Sequence, residues 1–201
     1  GQLEGDLQSS LLWQANTIAV SPDSSRLFVT VPLYIHKPTA IYSWDLNTRK
    51  ALPPIDTGVA GIANTIAVPS DNILAVGQAS GEVTLWDLSQ EKVAHTIEAH
   101  EGRISDMSFF ENDPSLMLTA SVDRTIKIHD IRYMRAVHRL PGHEGGVSAA
   151  RFLPDGNQII SASTADKTIR RWQTDGTSGP IIRVGWPFEF ADNGDTLIAN
   201  R

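Results

Sequence analysis

Four β-rich stretches of the chain close on the same two positions: Trp44-Asp45, Trp86-Asp87, His129-Asp130 and Trp172-Gln173. Their first members lie 42, 43 and 43 residues apart. A fixed period of about 40–45 residues marks a repeat architecture, in which no unit can bury its apolar face alone. A chain of this kind stacks units into an extended surface, so the pattern points to binding before it points to catalysis.

The units can be laid over one another strand by strand. Each opens with a short alternating strand, seen at Ile18 and Val20, Ile66 and Val68, Met107 and Phe109, Ala150 and Phe152, and Phe188 and Phe190. A polar turn follows, such as Ser21-Pro22-Asp23 or Leu153-Pro154-Asp155-Gly156. Asp, Asn, Pro and Gly there supply the fixed or positive φ of a tight reversal. An aliphatic second strand comes next (27–31, 73–77, 116–120, 159–163), then a third (41–45, 83–87, 126–130, 169–172). A more polar fourth strand closes the unit (50–55, 93–98, 136–140, 180–184). Short strands at even spacing with turns between them read as all-β, and four per period read as one blade of a propeller. No helical periodicity is present.

These units resemble WD repeats, the four-stranded blades of a β-propeller. The fourth is nearest the family pattern: Pro141-Gly142-His143, then Phe152 to Gly156, Ser161-Ala162-Ser163, and Asp166 to Trp172. The resemblance implies a hydrogen-bonded network inside the blade, made here by His143, Ser161, Asp166 and Trp172. The third unit offers His100, Thr119 and Asp123, with His129 in place of the Trp. In the second, Ser80 and Val76 stand where Asp and Ser or Thr belong, and the first lacks the Asp and the His. The physical logic is that a buried carboxylate needs donors, and Trp adds an indole N–H and a large apolar body.

Strand counting at the ends sets the expected organisation: one propeller region over 1–201, with an end strand and loop at 1–14. Blades follow at 15–58, 59–102, 103–145 and 146–186, and the first two strands of an incomplete blade at 187–201. Open end blades expose unpaired edges. The expectation is therefore a segment of a larger propeller, about seven-bladed by the resemblance.

Charge and composition narrow the function. The net charge is −6, which argues against non-specific nucleic-acid binding by the whole chain. It is uneven: residues 1–100 carry 5 basic and 10 acidic side chains, and residues 101–201 carry 12 and 13. There is no cysteine, which excludes disulfides, thiol chemistry and Cys-based zinc sites and fits a cytoplasmic or nuclear setting. No apolar run approaches the roughly 20 residues that span a bilayer, so no membrane association is expected. The recurring histidines and aspartates fall at equivalent turn and strand positions, which assigns them to structure. No catalytic, metal or cofactor motif is present, and an enzyme would need convergent groups from different elements.

Three features are candidates for partner binding. The first unit has a long connection, with 17 residues from Leu27 to Trp44 against 13 in the second and third, and it carries Tyr34, Ile35 and His36. A Pro-stiffened apolar loop docks at low entropy cost, although such a loop also packs on a neighbouring blade. Residues at the mouth of the first strands differ from unit to unit: Gln14 and Asn16, Ile62 and Asn64, Arg103 and Ser105, Gly146 and Ser148. A basic stripe over 124–139 contains Arg124, Lys127, Arg132, Arg135, His138 and Arg139 and is the one place suited to nucleic acid or an acidic protein patch. Within it, His129-Asp130-Ile131-Arg132 is similar to the Trp-Asp-x-Arg box of substrate receptors for cullin ubiquitin ligases. The expected function is a non-catalytic scaffold that presents a propeller loop face to other subunits of a complex. The alternatives are a cullin-type substrate receptor or histone-tail reader, and, third, an enzyme.

Overall fold

The computed structural model describes residues 16–31, 40–56, 63–183, 188–190 and 197–199. The chain divides into two compact units, residues 1–98 and 99–201. Among the described residues every regular element is a strand.

The first unit holds two four-stranded antiparallel sheets. One is β1 (Thr17–Val20), β2 (Arg26–Thr30), β3 (Ala40–Asp45) and β4 (Lys50–Asp56); the other is β5 (Ala63–Ser70), β6 (Ile73–Gln78), β7 (Glu82–Asp87) and β8 (Lys92–Glu98). Each is ordered in sequence. The second unit repeats the plan with β9 (Ile104–Phe110), β10 (Asp113–Ser121), β11 (Thr125–Asp130) and β12 (Arg135–Pro141), then β13 (Ala149–Phe152), β14 (Gln158–Ser163), β15 (Thr168–Gln173) and β16 (Ser178–Arg183). A two-stranded pair follows, β17 (Phe188–Phe190) with β18 (Leu197–Ala199).

The repeat seen in sequence is a repeat of register. Leu27 faces Trp44, Leu74 faces Trp86, Met117 faces His129 and Ile159 faces Trp172. In every sheet the pairing of the third and fourth strands slips just before or beside that third-strand position. Such bulges raise the local twist.

Burial explains the composition of each strand. The second strands are covered on both faces: in β6 the last five of six residues are buried. A strand enclosed on both sides reads as a continuous aliphatic run, which is why these segments do not alternate. The fourth strands β4, β8, β12 and β16 are mostly exposed and correspondingly polar. The core of the first unit joins its two sheets through Phe28, Ile41, Ile66, Leu74, Val76 and Trp86. In the second unit Leu118, Ile126, Ile128, Leu140, Ile159 and Trp172 do the same. Each such fully buried aliphatic or aromatic side chain stabilises by about 1.5–3 kcal/mol.

Aspartates build the turns. Asp23, Asp113 and Asp155 accept the N–H of Ser25, Ser115 and Asn157 two residues on. Asp45, Asp87 and Asp130 accept an N–H after the third strands, from Thr48, Ser89 and Arg132. The hydroxyls of Ser21, Ser89 and Ser115 hold the carboxyls of Asp23, Asp87 and Asp113 below the usual carboxylate range, helped by these N–H bonds, and the Thr48 N–H does the same for Asp45. Gly156 is the tightest turn position. Its φ is +68°, and a Cβ there would fall 2.2 Å from the Phe110 ring. The sequence places Asp113 in a turn and starts the strand near 116; β10 instead begins at Asp113, with a register shift before Met117. The Asp113–Ser115 bond turns the chain within the ladder.

Candidate functional site

In the fourth sheet, four side chains form one directional chain of hydrogen bonds. His143 lies between β12 and β13, Ser161 on β14, Asp166 in the turn after it and Trp172 on β15. His143 Nδ1 is 2.9 Å from Asp166 Oδ2, and its Nε2 is 2.8 Å from Ser161 Oγ. Trp172 Nε1 donates to the same Ser161 Oγ at 2.8 Å. An ionised carboxylate only accepts, so Nδ1 carries the imidazole proton and the Ser161 hydroxyl donates to Nε2. Asp166 accepts further from the Thr168 N–H and hydroxyl, at 2.9 and 2.6 Å, and from the Glu144 N–H at 2.8 Å. Burial alone would raise its pKa, but the bonds from Thr168, His143 and Glu144 outweigh it and hold the carboxyl well below the usual range. Burial keeps His143 neutral, against the raising pull of Asp166.

The third sheet repeats the arrangement with one exchange. His100 Nδ1 meets Asp123 Oδ2 at 2.9 Å, and Nε2 meets Thr119 Oγ1 at 2.8 Å. His129 occupies the Trp172 position and reaches Thr119 Oγ1 through Nε2 at 3.1 Å. Its Nδ1 is buried with no partner. Burial first, and then the charges of His100 and Lys127, depress its pKa to about 4.

Ser161, His143 and Asp166 have the connectivity of a hydrolytic triad, as do Thr119, His100 and Asp123. The chemistry does not follow. Ser161 and Thr119 are fully buried, with no room for a substrate carbonyl. Each hydroxyl oxygen also accepts a ring N–H, from Trp172 or His129. These are structural locks joining two strands, the turn between them and a connecting loop. Among the described residues no group of three or more His, Asp or Glu is arranged to hold a metal, and no helix is long and apolar enough to cross a membrane.

The first unit shows what the missing members cost. Val29 stands two residues beyond the position facing Trp44, where Ser161 stands relative to Trp172. It offers no acceptor, and Trp44 Nε1 is buried without one. In the second sheet Val76 fills that place, and buried Gln78 donates to Thr84 Oγ1 at 2.7 Å instead.

The candidate binding residues fall out differently. Tyr34, Ile35 and His36 lie outside the described residues, as do Gln14 and Ile62. Asn16 is exposed, yet its side-chain amide donates to the carbonyls of Ala63 and Asn64 at 3.2 and 3.1 Å, tying β1 to β5. Asn64 has a buried, unpaired Nδ2. Arg103 is exposed and Ser105 half-buried beside it. Ser148 donates to Thr164 Oγ1 at 3.0 Å. Arg132 is forked onto Asp130 through Nε and Nη2, with bonds of 3.0 and 2.7 Å, while its side chain stays more than half exposed. Arg135 and Arg132 flank the exposed Tyr133 ring at 5.8 and 5.9 Å. In the stripe, Lys127 is engaged by the Ala99 carbonyl. Sequence reasoning missed Asp106, which accepts the Ala150 N–H at 3.0 Å and pairs with the Arg151 guanidinium, pinning β9 to β13. Nothing in a linear pattern marks a contact between the first strands of two sheets.

Two stretches, residues 91–130 and 134–173, match the family model described as WD domain, G-beta repeat. Over these stretches the chain carries WD repeats. The second stretch supplies β12 to one sheet and β13, β14 and β15 to the next, so this repeat links two sheets covalently. The chain is 33% identical over 117 residues to WD repeat-containing protein GTS1 of Arabidopsis thaliana, covering 55% of this chain and 29% of that protein. It is 30% identical over 112 residues to WD repeat-containing protein 55 of Bos taurus, covering 56% and 28%. The human protein of that name is 28% identical over 113 residues, covering 55% and 27%. The matched part thus spans less than a third of these relatives' length. WD repeats generally serve as protein-interaction scaffolds and are generally non-catalytic.

Proposed function

We propose that this WD-repeat chain is a non-catalytic platform that presents one end of its blades to protein partners within a complex. The observation that carries the reading is a constant frame bearing variable side chains. At the mouths of the first and fourth blades the backbone is held in the same way: Asn16 N–H donates to Thr30 O and Ser148 N–H to Ala162 O, at 2.9 and 2.8 Å; at the mouth of the third blade Arg103 is fixed through its carbonyl, which accepts the Val122 N–H at 3.0 Å. The side chains carried there differ: an asparagine, a serine and an arginine. A rigid backbone lowers the ordering cost of association, and non-repeating side chains allow one partner to be distinguished from another. Arg103, exposed and central to the mouth of the third blade, is the residue best suited to anchor a partner. The test is quantitative affinity purification of the protein carrying Arg103→Glu. Loss of most co-purifying partners at unchanged thermal stability is expected; full recovery of every partner refutes the reading. The ligase-receptor alternative keeps one supporting observation: Arg132 is held in a fixed orientation on its turn, as a docking residue should be. Undiminished adaptor recovery by Arg132→Ala would remove it.

A further inference from the structure

Two residues before the third-strand ring, the second, third and fourth sheets carry Thr84, Lys127 and Arg170. Thr84 accepts from the Gln78 amide, and Lys127 donates to the Ala99 carbonyl. Arg170 has no such partner. It is half-buried on β15, its Nε is buried without an acceptor, and it joins none of the ion pairs among the described residues. Gly142 leaves room beside its Nη1, since a Cβ there would come within 3.0 Å of that nitrogen. A partly buried guanidinium left alone is costly, and its planar fork matches a carboxylate that can be gripped in two places.

Arg170 does not stand alone on its face. Across β15 and β16 it is opposite Ile181, and Arg183 is opposite Thr168. Arg170, Ile181 and Arg183 therefore share one face of the sheet, with the two cations as diagonal neighbours roughly 7–8 Å apart. Ile181 is 54% exposed. Arg183 is exposed and, like Arg170, takes part in no ion pair among the described residues. At the place of Arg183 the second sheet carries Glu98, opposite Glu82.

No carboxylate at hand answers these cations. Asp166, the one closest in sequence, is taken up by His143, the Thr168 hydroxyl and the Glu144 N–H, and exposed Lys167 beside it adds a further positive charge. We propose that this outer face of the fourth sheet is a docking site for an acidic protein segment whose carboxylates lie two residues apart. In an extended segment such side chains point the same way at about 6.6 Å, twice the rise per residue, which matches the diagonal. One carboxylate forks onto Arg170, the other meets Arg183, and the chain between them covers Ile181. A nucleic acid fits less well. The one aromatic residue on β15 and β16 is the buried Trp172, so no base can stack there, and the chain's net charge is −6.

The test is an NMR titration of the isotopically labelled protein with acetyl-Ala-Glu-Ala-Glu-Ala-amide, with its counterpart bearing two glutamines, and with a short oligothymidylate. The glutamate peptide should shift the Arg170 Nε–H and Ile181 methyl signals saturably, with the glutamine peptide at least about tenfold weaker. Arg183→Glu, a change at an exposed edge, should weaken the glutamate peptide about fivefold or more while leaving the remaining spectrum intact. Arg170→Lys keeps the charge and loses the fork, and should weaken it about threefold or more. Absent or scattered shifts, equal binding of both peptides, or an unaffected Arg183→Glu variant would each overturn the proposal. So would tighter binding of the oligothymidylate, which would make a nucleic acid the occupant, or concentration-dependent shifts of the same signals without peptide, which would make it a second copy of the chain. None of these outcomes bears on Arg103.

Discussion

The third and fourth blades solve one problem with different residues. Both hang an imidazole, a hydroxyl and a carboxylate on the same three places. In the fourth, Trp172 supplies one N–H, donates it to Ser161 and has no other polar atom to satisfy. In the third, His129 makes the equivalent bond to Thr119 but brings a second nitrogen that is buried and unpaired. The lock needs a donor at that position, and either ring provides it. Only the indole does so without an orphaned lone pair and without a titratable group.

The largest effect should come from forcing the third blade's solution on the fourth. Trp172→His removes most of a fully buried indole and should cost about 3–4 kcal/mol by urea denaturation. A loss under 1 kcal/mol would mean the two rings are interchangeable. Next comes the carboxylate: Asp166→Ala strands several donors and should cost about 3 kcal/mol. Asp123→Ala should cost less, because that side chain is 15% exposed against 6%. Reversal of this order would show that the third blade carries the greater strain.

A pH experiment sharpens the same contrast. His129 is held neutral to about pH 4 in the folded chain, whereas an unfolded histidine titrates near 6.5. Its contribution is present above pH 6.5 and is lost as the pH falls toward 4, about 3 kcal/mol in all. The depressed His100 and His143 act in the same direction, while Asp123 and Asp166, also depressed, lose theirs at lower pH. His129→Phe should therefore flatten the decline between pH 6.5 and 4; an unchanged slope would place the titration elsewhere. The smallest effect tests the first blade. Val29→Thr offers Trp44 Nε1 an acceptor and should stabilise by about 0.5–1 kcal/mol in thermal unfolding, whereas a destabilised variant would show that the hydroxyl cannot reach the indole.

Much of this was legible in the sequence because it is periodic. Trp44, Trp86, His129 and Trp172 fall on one register, and the aspartates recur where turns need acceptors. Histidine at 129 was visible as an exception, but its unpaired Nδ1 was not, since that depends on what surrounds the ring. Asp106 pairing with Arg151 joins two sheets and has no local signature. In the sequence Arg132 is one cation of a basic stripe; that Asp130 both makes its turn and pairs with the Arg132 guanidinium depends on side-chain geometry.

Under the proposed function the buried frame sets stability and one exposed end of the blades sets binding. Site-specific photo-crosslinking of the protein tests this most directly. A photoreactive side chain would be placed at position 103, and in parallel at position 155, an exposed turn at the opposite end of a blade in the same unit. Partner adducts should form at 103 and be absent at 155. Adducts of equal yield at both positions, or adducts at 155 alone, would contradict the central claim.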